Sequence, residues 1–136
     1  MDRKEFLRRF LDEVWTGGDA DAAGKYLAPS YTIYHDPGDP WQGQTLDVNG
    51  FKDRLVKSRA VAPDQVFTVR EMIEEDDRIA VSWTWQGTHS GNLPGIPATG
   101  KRMKMSGLTI YYFDDGRLSG HWQIADRLSI YQQIRQ

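Results

Sequence analysis

Arg78-Ile79-Ala80-Val81-Ser82-Trp83-Thr84-Trp85-Gln86-Gly87-Thr88 is the stretch that decides the fold. Val81, Trp83 and Trp85 alternate with Ala80, Ser82 and Thr84, the two-residue period of a strand with one buried face. The same period extends to either side. Gln65 to Glu75 reads as the preceding strand, joined through a turn at Asp76-Asp77. Lys101 to Phe113 reads as a third long strand, reached through a Gly- and Pro-rich loop from His89 to Gly100. Asp114-Asp115-Gly116 is a hairpin turn, because glycine accepts the positive φ that such turns require, and Arg117 to Ile124 is the fourth strand.

Upstream of Pro63 the period is that of helices. Asp2 caps the first, with Glu5 placed as in a capping box, and Phe6, Leu7, Phe10, Leu11, Val14 and Trp15 share one face. Gly17-Gly18 stops it. Asp19 caps a second, shorter helix through Ala20, Ala23 and Leu27, ended by Pro29. Ser30 to His35 alternates and reads as a strand, and Asp36-Pro37-Gly38-Asp39-Pro40-Trp41-Gln42-Gly43 as a loop. Asp47 caps a third helix with Val48, Phe51 and Leu55 on one face. The tail from Arg127 to Ile134 reads either as a short helix or as a strand end.

Helices first and a meander of long strands after predicts an α+β fold. A strongly curved antiparallel sheet of four to six strands, wrapped around the N-terminal helices, makes a cone-shaped α+β barrel with an internal pocket. A length of 136 residues is that of one domain, taken as 1–136.

Composition narrows the function classes. The chain has no cysteine, so thiolate and disulfide chemistry are excluded. Its net charge of −2 is spread without a basic block, which argues against nucleic acid as a partner. No apolar run approaches the ~20 residues of a membrane span, and Met1-Asp2-Arg3-Lys4-Glu5 lacks the apolar core of a secretory leader, so the expected location is cytoplasmic. Histidines stand at 35, 89 and 121 without the close spacing of a metal pair, so no metal is expected. There is no P-loop, dinucleotide fingerprint or nucleophile elbow, and no cofactor is expected. Five Trp, six Tyr and five Phe make the chain 12% aromatic. That content fills a core, or lines a cavity for a small apolar or aromatic ligand.

The order of these elements, with Gly87-Thr88-His89-Ser90-Gly91, Pro97-Ala98-Thr99-Gly100-Lys101, Asp115-Gly116-Arg117 and His121-Trp122-x-x-x-Asp126, resembles the SnoaL-like polyketide cyclases. These are a branch of the nuclear-transport-factor-2-like fold. The resemblance spans nearly the whole chain. It implies a cofactor-free acid/base enzyme, a cyclase, lyase or isomerase, closing a ring by an intramolecular aldol step or carrying out a related isomerisation. It also implies a homodimer or homotetramer.

Asp126 matches the pocket carboxylate that serves these cyclases as acid/base, and His35 matches a histidine ending the first strand. Two positions depart from the pattern: Gly120 stands where members often carry Glu, and Tyr112 where the known cyclases carry a strand histidine. The residues have plainer readings as well, with Asp126 as a cap of the last turn and His35 as a loop histidine bonded to backbone. Trp122, Tyr112, Trp85 and Trp83 are the candidates to line the pocket. Alternation gives Trp122 the inward parity of Asp126 and turns His121 to the opposite face, leaving it a secondary ligand-contact candidate. The alternatives are a non-catalytic binding module of the same fold, an isomerase, or an epoxide hydrolase, whose relatives of this fold use an Asp-Arg-Asp set.

Overall fold

A computed structural model describes residues 1–135. In chain order it contains helix α1 (Arg3–Phe10), a π-helical turn (Leu11–Thr16), a 3-10 helix (Ala20–Lys25), strand β1 (Leu27–His35), strand β2 (Thr45–Leu46) and helix α2 (Val48–Arg59). Strands β3 (Val66–Glu75), β4 (Arg78–Thr88), β5 (Arg102–Asp114) and β6 (Arg117–Ala125) follow, then helix α3 (Arg127–Ile134). The predicted caps are in place. Asp2 accepts from the Glu5 amide, Asp19 from that of Ala22 and Asp47 from that of Gly50. Glu5 does not return the bond to Asp2 but pairs with Arg9 one turn on.

The sheet order is β2-β1-β6-β5-β4-β3. It is curved and α+β as expected, but it is not closed into a barrel, and it is not purely antiparallel: β1 runs parallel to β6. The second helix is also shorter than predicted, because Leu27 belongs to β1, where it pairs with Leu118. At the tip of the β5–β6 hairpin Asp115 and Gly116 both take positive φ, 51° and 76°. Two positive φ values in a two-residue turn give the twist that lets flanking strands stay paired.

The core lies between the inner face of the sheet and the helices. Phe10 and Phe51 are fully buried and meet Tyr26, Tyr31 and Tyr111 mostly edge to face. Helix α3 covers the stretch of β5 that β6 leaves unpaired. Gln133 donates to the Lys104 carbonyl and accepts from its amide, in the manner of a strand neighbour. No helix among the described residues is long and apolar enough to cross a membrane.

Two bulges decide which side chains reach the interior. In β6, Phe113 pairs with Leu118 but Tyr112 with Gly120, so Ser119 is an extra residue. In β1, Ile33 pairs with His121 but His35 with Trp122, so Tyr34 is extra. Each insertion reverses the inside–outside alternation beyond it. The result is that His121 and Asp36 turn inward, while Trp122 and His35 turn outward.

Candidate active site

Beneath α2, the π-helical turn and the Asn92-Leu93-Pro94 loop is a cavity of about 330 Å³. Trp15, Phe67, Trp83, Trp85, Met103 and Met105 supply its apolar wall. Tyr31, Tyr111, His121, Gln123 and Arg127 form its polar end. That size and mixture suit a small organic molecule oriented by a few polar groups.

Asp36 organises the polar end although it is wholly buried. Its Oδ2 accepts from His121 Nε2 at 2.9 Å, and its Oδ1 from Arg127 at 2.8 Å. Gln123 Nε2 donates to both oxygens at 3.2 and 3.3 Å. Arg54, held at 2.8 Å by Asp39, stands 3.6 Å away. Burial pushes the Asp36 carboxyl up, but the His121 bond and the Arg127 charge outweigh it and hold the group below the usual carboxylate range.

His121 is bonded at both nitrogens. Nε2 faces a carboxylate that only accepts, so Nε2 carries the hydrogen and Nδ1 accepts from the Tyr31 hydroxyl at 2.6 Å. Burial lowers its proton affinity more than the Asp36 bond raises it, so the ring is neutral near pH 7. Burial also holds the Tyr31 hydroxyl well above its ordinary range, so it remains a phenol. A second chain fixes the carboxylate from the other side. Trp83 Nε1 donates to Thr109 Oγ1 at 2.8 Å, and Thr109 donates to Gln123 Oε1 at 2.6 Å. Gln123 therefore has one amide orientation, with its NH₂ on Asp36.

Trp83, Trp85 and His121 of the sequence candidates line the cavity; the others do not. Asp126 caps α3, accepting from the Ser129 amide at 3.2 Å, and contributes nothing to the cavity wall. His35 and Trp122 stack on each other outside the sheet, with ring centroids 4.7 Å apart and 13° between planes. Tyr112 lies on that outer face too, in a broad, open, mostly polar depression with Tyr34 and Arg78. The expectation of His121 outside and Trp122 inside is thus reversed, and the physical reason is the Ser119 bulge. Asp36, Tyr31, Tyr111, Gln123 and Arg127 were missed. Gly120 was the available signal, since glycine inside a strand marks a bulge or a close backbone approach. A Cβ there would stand 2.5 Å from the Thr32 carbonyl oxygen.

A family model described as SnoaL-like polyketide cyclase matches residues 5–134. The chain belongs to this family. Among solved structures, this SnoaL-like chain is similar to a candidate polyketide cyclase from Acidithiobacillus ferrooxidans, at 52% identity and a TM-score of 0.93 over 98% of this chain and 94% of that one. It is similar to IdmH, a candidate polyketide cyclase from Streptomyces antibioticus, at 25% identity and a TM-score of 0.82 over the whole of both chains. A SnoaL-like protein from Jannaschia, at 20% identity and a TM-score of 0.82 over 97% of this chain and 90% of that one, shows the shared fold. No curated protein matches the chain.

Proposed function

We propose that this SnoaL-like protein is an acid/base enzyme that needs no cofactor. It removes a proton α to a carbonyl in a small apolar or aromatic compound, as in an aldol-type ring closure or an isomerisation. The observation that carries this reading is the buried run Tyr31–His121–Asp36 at the polar end of a cavity whose apolar wall is Trp15, Phe67, Trp83, Trp85, Met103 and Met105. Because both imidazole nitrogens are engaged, the substrate meets the Tyr31 oxygen. That oxygen takes the carbon-bound proton while the phenol proton passes to His121 Nδ1. The C–H electron pair becomes the C=C bond of the enolate, the carbonyl π pair moves onto its oxygen, and Asp36 holds the imidazolium so formed. The same path in reverse returns the proton to the product. A histidine of lowered proton affinity is a weak base, so the reading calls for a carbon already acidified by a second carbonyl or an aromatic ring.

2-Tetralone supplies such a carbon, and its exchange in D₂O is followed by NMR. The protein is expected to accelerate exchange at C1, and His121→Phe to lose about 10²- to 10⁴-fold of that acceleration. An unchanged rate in the variant overturns the assignment, and binding of the ketone without any acceleration marks a binding module instead.

A second reading has its own observation. Asp39, Arg54 and Asp36 form a buried carboxylate–guanidinium–carboxylate set, with Arg54–carboxylate distances of 2.8 and 3.6 Å. This is the Asp-Arg-Asp chemistry of an epoxide hydrolase, and diol formation from styrene oxide tests it. Self-association also belongs to the proposal. Ile73, Leu108 and Ile124 are exposed on the outer sheet face, and a second copy of the chain would cover them. Sedimentation as a monomer at micromolar concentration would count against it.

A further inference from the structure

Tyr111 is next to the Tyr31–His121 pair but is not part of it. It projects from β5, where its neighbour Tyr112 projects the opposite way, and its ring centroid lies 6.1 Å from that of His121. It is 6% exposed and lines the cavity. Among the described residues the only enclosed side-chain nitrogen or oxygen atoms without a partner are Arg54 Nε and His89 Nε2. The Tyr111 hydroxyl makes no hydrogen bond to the protein either, yet it is not enclosed. Its remaining access is through the cavity that the ring lines.

A buried hydroxyl without a protein partner is an expensive arrangement unless a ligand or water satisfies it. The polar groups around it are already committed. Tyr31 gives its hydrogen to His121, Gln123 gives its NH₂ to Asp36, and Arg127 is shared between Asp36 and the Pro37 carbonyl. The Tyr111 hydroxyl is therefore the uncommitted neutral donor at the polar end. Burial also holds this phenol well above its ordinary range, with the Asp36 charge adding to the effect, so it stays protonated.

We propose that the Tyr111 hydroxyl is the hydrogen-bond donor that receives the ligand's carbonyl oxygen and stabilises the negative charge that develops on it. The role rests on the acid/base reading of the same cavity and adds its missing half. As the proton leaves carbon for Tyr31, the carbonyl π pair arrives at an oxygen facing Tyr111. A pre-placed donor in a water-poor site is worth more there than in solution. The ligand class follows: a flat carbonyl compound whose enol or enolate oxygen lies close to the acidic carbon, so that two neighbouring tyrosines address the two atoms together.

Tyr111→Phe tests this with two probes. 2-Naphthol is a permanently aromatic counterpart of the enol of 2-tetralone, and its own fluorescence follows binding. The variant is expected to bind 2-naphthol about tenfold more weakly than the wild type. It is expected to exchange the C1 protons of 2-tetralone about 10²- to 10³-fold more slowly, with KM little changed. Its melting temperature should match that of the wild type, because the ring contact with Phe10 survives and the lost hydroxyl has no protein partner. An unchanged naphthol affinity overturns the proposal, as does a wild type that fails to bind naphthol at millimolar concentration. An unchanged exchange rate in a protein that catalyses exchange does so too. Weakened naphthol binding beside an unaffected His121→Phe would leave Tyr111 as the donor and remove the proton relay instead.

Discussion

Strands β1 and β6 carry a histidine–aromatic arrangement on each face, built from adjacent residues. Inside, His121 lies between Tyr31 and Asp36, 3% exposed and bonded at both nitrogens. Outside, His35 stacks on Trp122 and makes no side-chain hydrogen bond among the described residues. Residue types are nearly the same on the two faces, and sequence position differs by one. The chemistry differs because burial removes water from the inner histidine and leaves a carboxylate as its counterpart. The outer pair has only ring contact. A histidine near an aromatic residue says little until the face is known.

The largest expected effect is at the inner carboxylate. Asp36→Ala leaves Arg54, Arg127 and His121 without their shared anion. Breaking a buried ionic cluster by removing one member destabilises by about 3–5 kcal/mol, so the melting temperature should fall by about 10 °C or more. If His35→Ala on the outer face lowers it equally, the contrast between the faces is wrong.

The second effect is on pH. His121 and Asp36 both have lowered proton affinity in the folded chain, so the unfolded chain binds more protons and acid destabilises. The stability from His121 is complete above its ordinary value of 6.5 and is lost as pH falls from there through its lowered folded value. That from Asp36 is complete above 3.8 and is lost below it in the same way. Thermal melting across pH 7 to 4 should therefore slope downward from about pH 6.5, and His121→Phe should flatten the upper part of that slope. A wild-type curve flat to pH 4.5 would remove the neutral buried imidazole.

The smallest effects are outside the cavity. Asp126→Ala removes a helix cap and should destabilise by about 1 kcal/mol. His35→Ala removes one ring stack, about 0.5–1 kcal/mol. Both should exchange 2-tetralone at the wild-type rate, as measured by the same NMR assay. A hundredfold loss in Asp126→Ala would return the C-terminal carboxylate to the chemistry.

The fold was legible because its signals are local. Strand period, the Asp-Gly turn, and the caps at Asp2, Asp19 and Asp47 each depend on a few neighbouring residues. Strand β4 begins and ends where its alternation does. The site was legible only in part. Trp83 and Trp85 sit in an uninterrupted stretch of β4, so parity places them inside. Trp122 and His121 lie beyond a bulge, where counting by twos gives the wrong face. Asp36 is separated by 85 residues from its partner at His121, and only tertiary pairing of the first and last strands joins them. In the sequence it is one acidic residue in a Pro- and Gly-rich loop.

The extra residues at Tyr34 and Ser119 sit on neighbouring strands that run in the same direction. Each turns over the alternation of its own strand at a different point: Ser119 lies before the Ile33–His121 pair, and Tyr34 lies after it, ahead of His35 beside Trp122. Losing a single codon from either strand would therefore invert everything beyond it, sending a charged cluster into solvent and an indole into the interior. Functional assignments carried from one relative to another should follow strand pairing, because a shared column in an alignment does not guarantee a shared side of the sheet.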